Sequence, residues 1–371
     1  VSGVVVLQLA GGLALLTLGA SALVRGTASL ARRVGVSPLV IGVTLVAFLT
    51  SAPEISVSVL GAATGQDDIA AGNVVGSNVF NVLVVIGLCA LLRPLTVAQQ
   101  LVFREIPIKI GVSVLLWLFA ANGSLSVVEG AVFLAGLALF TYDTVRSSRR
   151  EAAAIRSEYE ESVPALSSSA LVDAAQVAGG LAMLVLGGNW LVAAAVEVAS
   201  AAGVDETTIG LTIVAAGTSL PEVATSLAAT LRGERDIAVG NVVGSSVFNI
   251  LGIAGLAAVV SPGGLDFPPG LVAFDLPFMV AVAVACLPIV AGDHRISRPV
   301  GMLFLGAYAA YISYLVLAAK SHAALEPFSA VMLEFAAPLS AVAVVAYLYR
   351  RRSTRREADG SAGGGAGRAA G

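Results

Sequence analysis

Glu54 and Glu222 each stand in the middle of a strongly apolar run, in the segments Thr50-Ser51-Ala52-Pro53-Glu54 and Thr218-Ser219-Leu220-Pro221-Glu222. An ionised carboxylate in such surroundings is costly unless it meets a partner or a cation, so each marks a functional site by default. The proline beside each glutamate removes a helical hydrogen bond and pushes away the carbonyl four residues earlier, which frees the carbonyls of Leu49 and Gly217. Unpaired backbone oxygen at membrane depth is tolerated where it is buried in protein or lines a cavity.

Each glutamate segment is followed by Gly-Asn-Val-Val-Gly-Ser and a further Asn: Gly72 to Ser77 with Asn81, and Gly240 to Ser245 with Asn249. Helical spacing of four puts Ser77 with Asn81, and Ser245 with Asn249, on one face. Facing helices would offer two carboxylates, two amide oxygens, the hydroxyls of Ser51, Ser77, Ser219 and Ser245, and freed carbonyls. These are all hard donors, and calcium takes about six to eight such oxygens. His294 and His322 fall in loops, which disfavours zinc or copper. Two carboxylates neutralise one divalent ion, whereas sodium ions can use the acids singly. Competition for shared ligands would couple the two ions.

Other residues read as structural. Gly72, Gly76, Gly240 and Gly244 form small-xxx-small patterns that bring helices close. Ser58 and Ser226 are expected to bond locally, and Asp68 and Asp236 to cap helix N-termini. Glu105, Glu129, Asp143, Asp173, Asp275, Glu326 and Glu334 lie near span ends or have no counterpart in the duplication described below. Cys89 and Cys286, without metal spacing, read as small buried hydrophobes.

The elements that must position these residues are transmembrane helices. The chain of 371 residues is 57% hydrophobic and 12% charged, with mean hydropathy +0.91, outside the range of soluble domains. A bilayer core requires about 20 mainly apolar residues per helix. Eleven such runs are expected, near 3–24, 36–62, 69–92, 106–122, 126–143, 171–195, 206–231, 237–260, 271–291, 299–319 and 328–349. With the N-terminus outside, all 19 arginines fall in cytoplasmic loops, as the positive-inside rule requires. Lys109 lies inside a run and is expected to snorkel toward the interface. The expected topology has the C-terminus in the cytoplasm, and the arginine, alanine and glycine usage points to a prokaryotic cell membrane.

Residues 42–87 align without a gap to 210–255, identical at 24 of 46 positions that include Thr, Ser, Pro, Glu, Asp and Asn. This is a duplication. Five spans per unit is an odd number, so the second unit starts from the opposite face. The expected fold is an all-α membrane protein of two inverted five-helix repeats, 1–143 and 171–320, forming a ten-helix core. A charged cytoplasmic linker spans 144–170, an eleventh transmembrane helix lies within 321–349, and a basic then Gly/Ala-rich tail covers 350–371. No nucleotide loop, His-rich metal motif or nucleophile–base pair indicates an enzyme, and neither a cofactor, a nucleic acid nor a protein partner is implied. The partners are the bilayer and inorganic cations.

The repeats resemble those of the sodium/calcium exchanger family of cation/calcium antiporters, whose pattern runs through Gly-Thr-Ser-x-Pro-Glu and Gly-Asn-x-x-Gly-Ser-x-x-x-Asn, over about the first 320 residues. The resemblance implies alternating access around four cation positions in a diamond, electrogenic exchange of three sodium ions per calcium, and switching by sliding of the first helix of each repeat. It assigns calcium to Glu54, Glu222 and the carbonyls of Thr50 and Thr218. Sodium falls to Ala47, Ser51 and Ser77, and to Ala215, Ser219 and Ser245, with Asn81 and Asn249 lining the middle position. The chain departs from the pattern at Phe48-Leu49, where the second repeat has Ala216-Gly217. The alternatives are calcium/proton antiport, potassium-dependent exchange and a passive cation channel. The resemblance implies an acid where Asn81 and Asn249 stand in proton-coupled relatives, and an Asp at the position of Asn249 in potassium-dependent ones.

Overall fold

A computed structural model describes residues 3–34, 37–158, 169–201, 215–291 and 294–319. The expected eleventh helix, Glu326, Glu334 and His322 lie outside the described residues. The helices in chain order are α1 (Gly3–Val34), α2 (38–50), α3 (Ala52–Ala63), α4 (Asp67–Leu92), α5 (101–119), α6 (Val127–Glu158), α7 (Ala170–Ala201), α8 (Ala215–Thr218), α9 (Leu220–Arg232), α10 (Arg235–Val260), α11 (271–291) and α12 (Arg298–Ala319). Six of these, α1, α4, α6, α7, α10 and α12, are long and apolar enough to cross a membrane, and the bent pair α2–α3 makes a seventh when counted as one span. Helix α6 runs on to Glu158, so the first half of the charged 144–170 stretch continues a helix.

The breaks fall where the prolines place them. Helix α2 ends and α3 begins at Ser51, with Pro53 in the first turn of α3 and a bend of 49°. Ser219 separates α8 from α9 in the same way, with Pro221 in the first turn of α9. A proline is tolerated in a first turn because that N–H has no intrahelical acceptor. Gly65 and Gly233, equivalent in the duplication, turn the chain into α4 and α10 with φ of +74° and +83°, a conformation glycine adopts without strain.

Helices α4 and α10 form the centre, with 78% and 83% of their apolar windows buried, against 17–28% for the other four long helices. They run antiparallel. At one end Asp67, opening α4, accepts a hydrogen bond of 3.1 Å from Ser261, which follows α10. At the other, Arg235, opening α10, donates to Thr96 beyond the end of α4 (3.1 Å). Two short antiparallel pairs repeat this exchange: β1 (Leu95–Thr96) with β4 (Arg295–Ile296), and β2 (Ser124–Leu125) with β3 (Leu265–Asp266). The β1–β4 end also carries Arg298, bonded to the Leu91 and Leu92 carbonyls. The β2–β3 end carries Asp67, Asp266 and Glu129. One end of the molecule is basic and the other acidic.

Helices α1 and α7 lie antiparallel across this centre, in contact through glycines that sequence reading did not single out. Gly12 meets the Gly187 carbonyl and Gly19 the Gly180 carbonyl, at distances that leave no room for a Cβ (2.9 and 2.7 Å). Gly12 and Gly180 are equivalent in the duplication, as are Gly19 and Gly187, so each copy packs on the other's partner. Arg33 and Ser29 of α1 both bond Asp173 of α7, fixing the end of the pair. Gly240 and Gly244 act as expected, lying against Leu39 and the Val43 carbonyl of α2.

Three expectations are corrected. Asp68 and Asp236 lie inside the first turns of α4 and α10, where Gln66 and Glu234 hold the cap positions and no side chain bonds the free N–H groups; each acid acts on the helix dipole instead. Lys109 does not snorkel, because it is 3% exposed and lies with Val239, Val243, Cys286 and Phe304 around a small internal cavity. Glu105 and Asp275 do have counterparts, in each other: Leu101-Val102 to Glu105-Ile106-Pro107 matches Leu271-Val272 to Asp275-Leu276-Pro277, each opening on a π-helical turn. A two-residue change in offset, from 168 to 170, hid the match.

The glycine contacts make a discriminating test. Gly180→Ala should lower the melting temperature in detergent, by an overpacking cost of about 1–3 kcal/mol, because its Cβ would sit 2.7 Å from the Leu23 nitrogen. Gly179→Ala, with nothing within 4 Å, should leave it unchanged.

Candidate ion site

The two helix breaks face each other across the molecular centre, and each carboxylate is held by the other half of the chain. Ser219 donates to Glu54 Oε1 at 2.8 Å, and Ser51 donates to Glu222 Oε1 at 3.2 Å. Both glutamates and both serines are fully buried. Neither Glu54 Oε2 nor Glu222 Oε2 has a hydrogen-bond partner among the described residues. Leaving a buried polar atom unpaired costs about 1–3 kcal/mol, more for a charged group, so two carboxylate oxygens in this condition at one centre call for a cation.

The asparagines add to the set. Asn81 opens a π-helical turn of α4, and Asn249 lies in the corresponding turn of α10; such turns inside α-helices occur frequently at functional sites. Both side chains are fully buried, and the Asn81 and Asn249 Oδ1 atoms are likewise without partners among the described residues. Asn249 Nδ2 donates to Ser77 Oγ at 2.9 Å, and Ser77 donates to the Asn73 carbonyl at 2.6 Å. Ser245 reaches the Ala47 carbonyl at 3.5 Å. Around the centre stand two carboxylates, two amide oxygens, serine hydroxyls and the backbone of the breaks. Among the described residues no group of three or more His, Cys, Asp or Glu could hold a metal ion, so neutral oxygens must supply most of the coordination. Hard, oxygen-preferring cations suit such a set.

The structure brings the predicted residues into two repeat-related bonded sets, Glu54 with Ser219, Ser77 and Asn249, and Glu222 with Ser51, Thr50, Ala47 and Ser245, with Asn81 at the repeat-equivalent position of Asn249. The Ala215 backbone opens the short helix α8 that leads to Thr218 and Ser219.

Sequence reading missed two members. Asn73 Nδ2 donates to the Glu54 carbonyl (3.2 Å) and to Ser58 Oγ (2.9 Å), while its Oδ1 accepts from Thr218 Oγ1 (3.4 Å). Asn241 mirrors it, donating to Ser226 Oγ (3.0 Å) and accepting from Thr50 Oγ1 (3.1 Å). Each asparagine ties the helix after the break in its own repeat to the break of the other. Ser58 and Ser226, expected to be structural, serve as the near anchors of these clamps. The signal was present in the sequence, since both asparagines belong to the duplicated Gly-Asn-Val-Val-Gly-Ser; the partner across the repeat was not.

The model of the sodium/calcium exchanger protein family matches residues 4–144 and 173–317. The chain belongs to the sodium/calcium exchanger family. CaxA of Alkalimonas amylolytica is 40% identical over 305 residues, covering 81% of this chain and 95% of that protein. The sodium/calcium exchanger MaX1 of Methanosarcina acetivorans is 30% identical over 340 residues, covering 81% and 95%. Among solved structures, the sodium-calcium exchanger NCX_Mj soaked with Na+ and Ca2+ superposes with a TM-score of 0.72 at 27% identity, over 84% of this chain and 99% of that one. Membership makes the chain a multi-pass membrane transporter of inorganic cations, and the apolar helices of the fold agree with it.

Asn241→Ala removes the acceptor of Thr50 and a donor to Ser226. It should lower the melting temperature in detergent, by about 1–3 kcal/mol of stability, and shrink the rise in melting temperature that saturating Ca2+ produces. Ser313→Ala, on the exposed face of α12 where the hydroxyl bonds its own helix, should leave the Ca2+ effect intact.

Proposed function

We propose that this chain is a secondary active antiporter that exchanges Ca2+ for Na+ by alternating access, electrogenically, through the site between the two helix breaks. The observation that carries the reading is the pair of buried carboxylates, each bonded by the opposite repeat's serine and each left with one oxygen unpartnered among the described residues. Calcium takes Glu54 and Glu222 with the carbonyls of Thr50 and Thr218. Sodium ions take the same acids in turn, with Ala47, Ser51 and Ser77 on one side, Ala215, Ser219 and Ser245 on the other, and Asn81 and Asn249 between them. Two ions that need the same carboxylates exclude each other, and this exclusion couples their movements. The neutral side chains of Asn81 and Asn249 leave the two glutamates as the site's carboxylates among the described residues, which favours sodium over proton or potassium coupling.

The architecture proposed with this function is a ten-helix core of two inverted five-helix repeats, 1–143 and 171–320, joined by the 144–170 linker, with an eleventh helix in 321–349. The antiparallel course of α4 against α10 and of α1 against α7 supports inversion. The protein sits in a prokaryotic cell membrane with its N-terminus outside and C-terminus in the cytoplasm. The clustering of Arg235, Arg295 and Arg298 at the β1–β4 end supports placing that end inside.

Radioactive calcium uptake into proteoliposomes tests the reading. Internal sodium, but not internal potassium, should drive uptake; an imposed membrane potential should change its rate; and Glu54→Gln or Glu222→Gln should abolish it. Uptake driven by a pH gradient alone would replace sodium by protons, and flux independent of any counter-ion would make the protein a channel.

A further inference from the structure

The two repeats adopt different conformations. Helices α1 and α7 both pack on α9, whose Leu220, Ala224 and Ala228 rest on the apolar cluster that Leu16, Ala20 and Leu184 help to build. Helix α3, the equivalent of α9, makes no comparable contact with either. Its Ser56 and Leu60, equivalent to Ala224 and Ala228, are exposed, Leu60 at 65%. The α1–α7 pair is thus drawn to α9, which leads to Arg232 and the basic face, and stands off α3 itself, while Leu45 and Leu49 near the end of α2 pack on the same apolar cluster. When two inverted halves exchange conformations, the result is the state that faces the other way. In that state the pair covers α3.

One tight approach in the present arrangement lies at Gly217, where a Cβ would stand 2.2 Å from Val192 Cγ2 on α7. Carried through the duplication, Val192 corresponds to Val24 on α1, the same residue, but Gly217 corresponds to Leu49. After the exchange a leucine would have to occupy the place where even one methyl group does not fit. Helix interfaces are close-packed and do not yield continuously, so α1 cannot settle against α2 as α7 settles against α8. The neighbouring position shows the same bias: Phe48 is 50% exposed and meets the Phe248 ring at 5.9 Å, where the second repeat has Ala216.

We propose that Leu49 is a built-in wedge which disfavours the state closed over α3, so that the transporter rests closed over α9. In the orientation given above, the resting site opens to the outside. The inference rests on the exchanger reading for its consequence in transport, though not for the conformational bias itself. Apparent affinity on each face scales with the population of the state open to that face. The wedge therefore keeps the apparent calcium affinity weak on the cytoplasmic side.

Leu49→Gly tests it, and glycine is the native residue at the equivalent position of the second repeat. In right-side-out and inside-out vesicles, the ratio of internal to external apparent Ca2+ affinity should rise about tenfold or more, since overpacking of this order is being relieved. Independently of transport, maleimide labelling of a Ser56→Cys reporter in ion-free detergent should be several-fold slower in the Leu49→Gly background, because α1 and α7 then cover α3. Should Leu49→Gly not fold, Gly217→Ala should move both readouts in the same direction, and adding Val192→Ala should reverse that movement. An unchanged affinity ratio with unchanged labelling, or a shift in the opposite sense, would overturn the wedge. Slowed labelling in a protein that does not exchange Ca2+ for Na+ would retain the wedge and remove the transport reading.

Discussion

A carboxylate buried at membrane depth sets the terms for the rest of this structure. Glu54 and Glu222 are fully buried in this structure, and each accepts a hydrogen bond from a hydroxyl on the opposite half of the chain, Ser219 or Ser51. For that hydroxyl to reach, both helices must break at the same depth. Pro53 and Pro221 impose the breaks, and Ser51 and Ser219 stand at them. For the breaks to face each other, the halves must lie antiparallel around α4 and α10. The remaining carboxylate oxygens, Glu54 Oε2 and Glu222 Oε2, find no hydrogen-bond partner among the described residues. A site that satisfied them internally would gain stability and lose its demand for an ion.

The network around the glutamates is crossed at every level. Serine to glutamate, Asn73 to Thr218, Asn241 to Thr50 and Asn249 to Ser77 all join one repeat to the other. The short strands, the Asp67 and Arg235 contacts, and the Gly12–Gly187 and Gly19–Gly180 contacts repeat the same crossing in the periphery. An element that moves relative to its own repeat must therefore change its contacts with the other. On the proposed reading, coupling of ion occupancy to conformation needs no dedicated relay, because the proposed ligands themselves bridge the two repeats.

The departures from exact duplication carry as much information as the matches. Leu49 in place of glycine, and Phe48 in place of alanine, fall beside the break in only one repeat, where Leu49 packs on the α1–α7 cluster and Phe48 is half exposed. Lys109 sits buried where the other repeat has Met279, beside a small cavity rather than at the interface. Such differences give the two faces of a nearly symmetric molecule unequal properties.

Much of this was fixed by the sequence. A buried acid beside a proline, repeated at a constant offset among apolar residues, specifies a broken membrane helix and an oxygen-lined site, because hydrocarbon tolerates neither an unpaired charge nor a free carbonyl. The duplication, with the five spans expected per unit, leads to the expectation of inversion, which the antiparallel course of α4 against α10 supports. Tertiary structure alone decided who meets whom across the repeats. The clamps of Asn73 and Asn241 depend on contacts between residues 145 and 191 positions apart, and the seating of α1 on α7 depends on glycines whose role is the approach of another backbone. Spacing along one helix reports which residues share a face, whereas the partner of that face is set only by packing. The unequal seating of α1 and α7 on α9 and α3 was legible only in three dimensions, because one chain with two related halves does not state which half is closed.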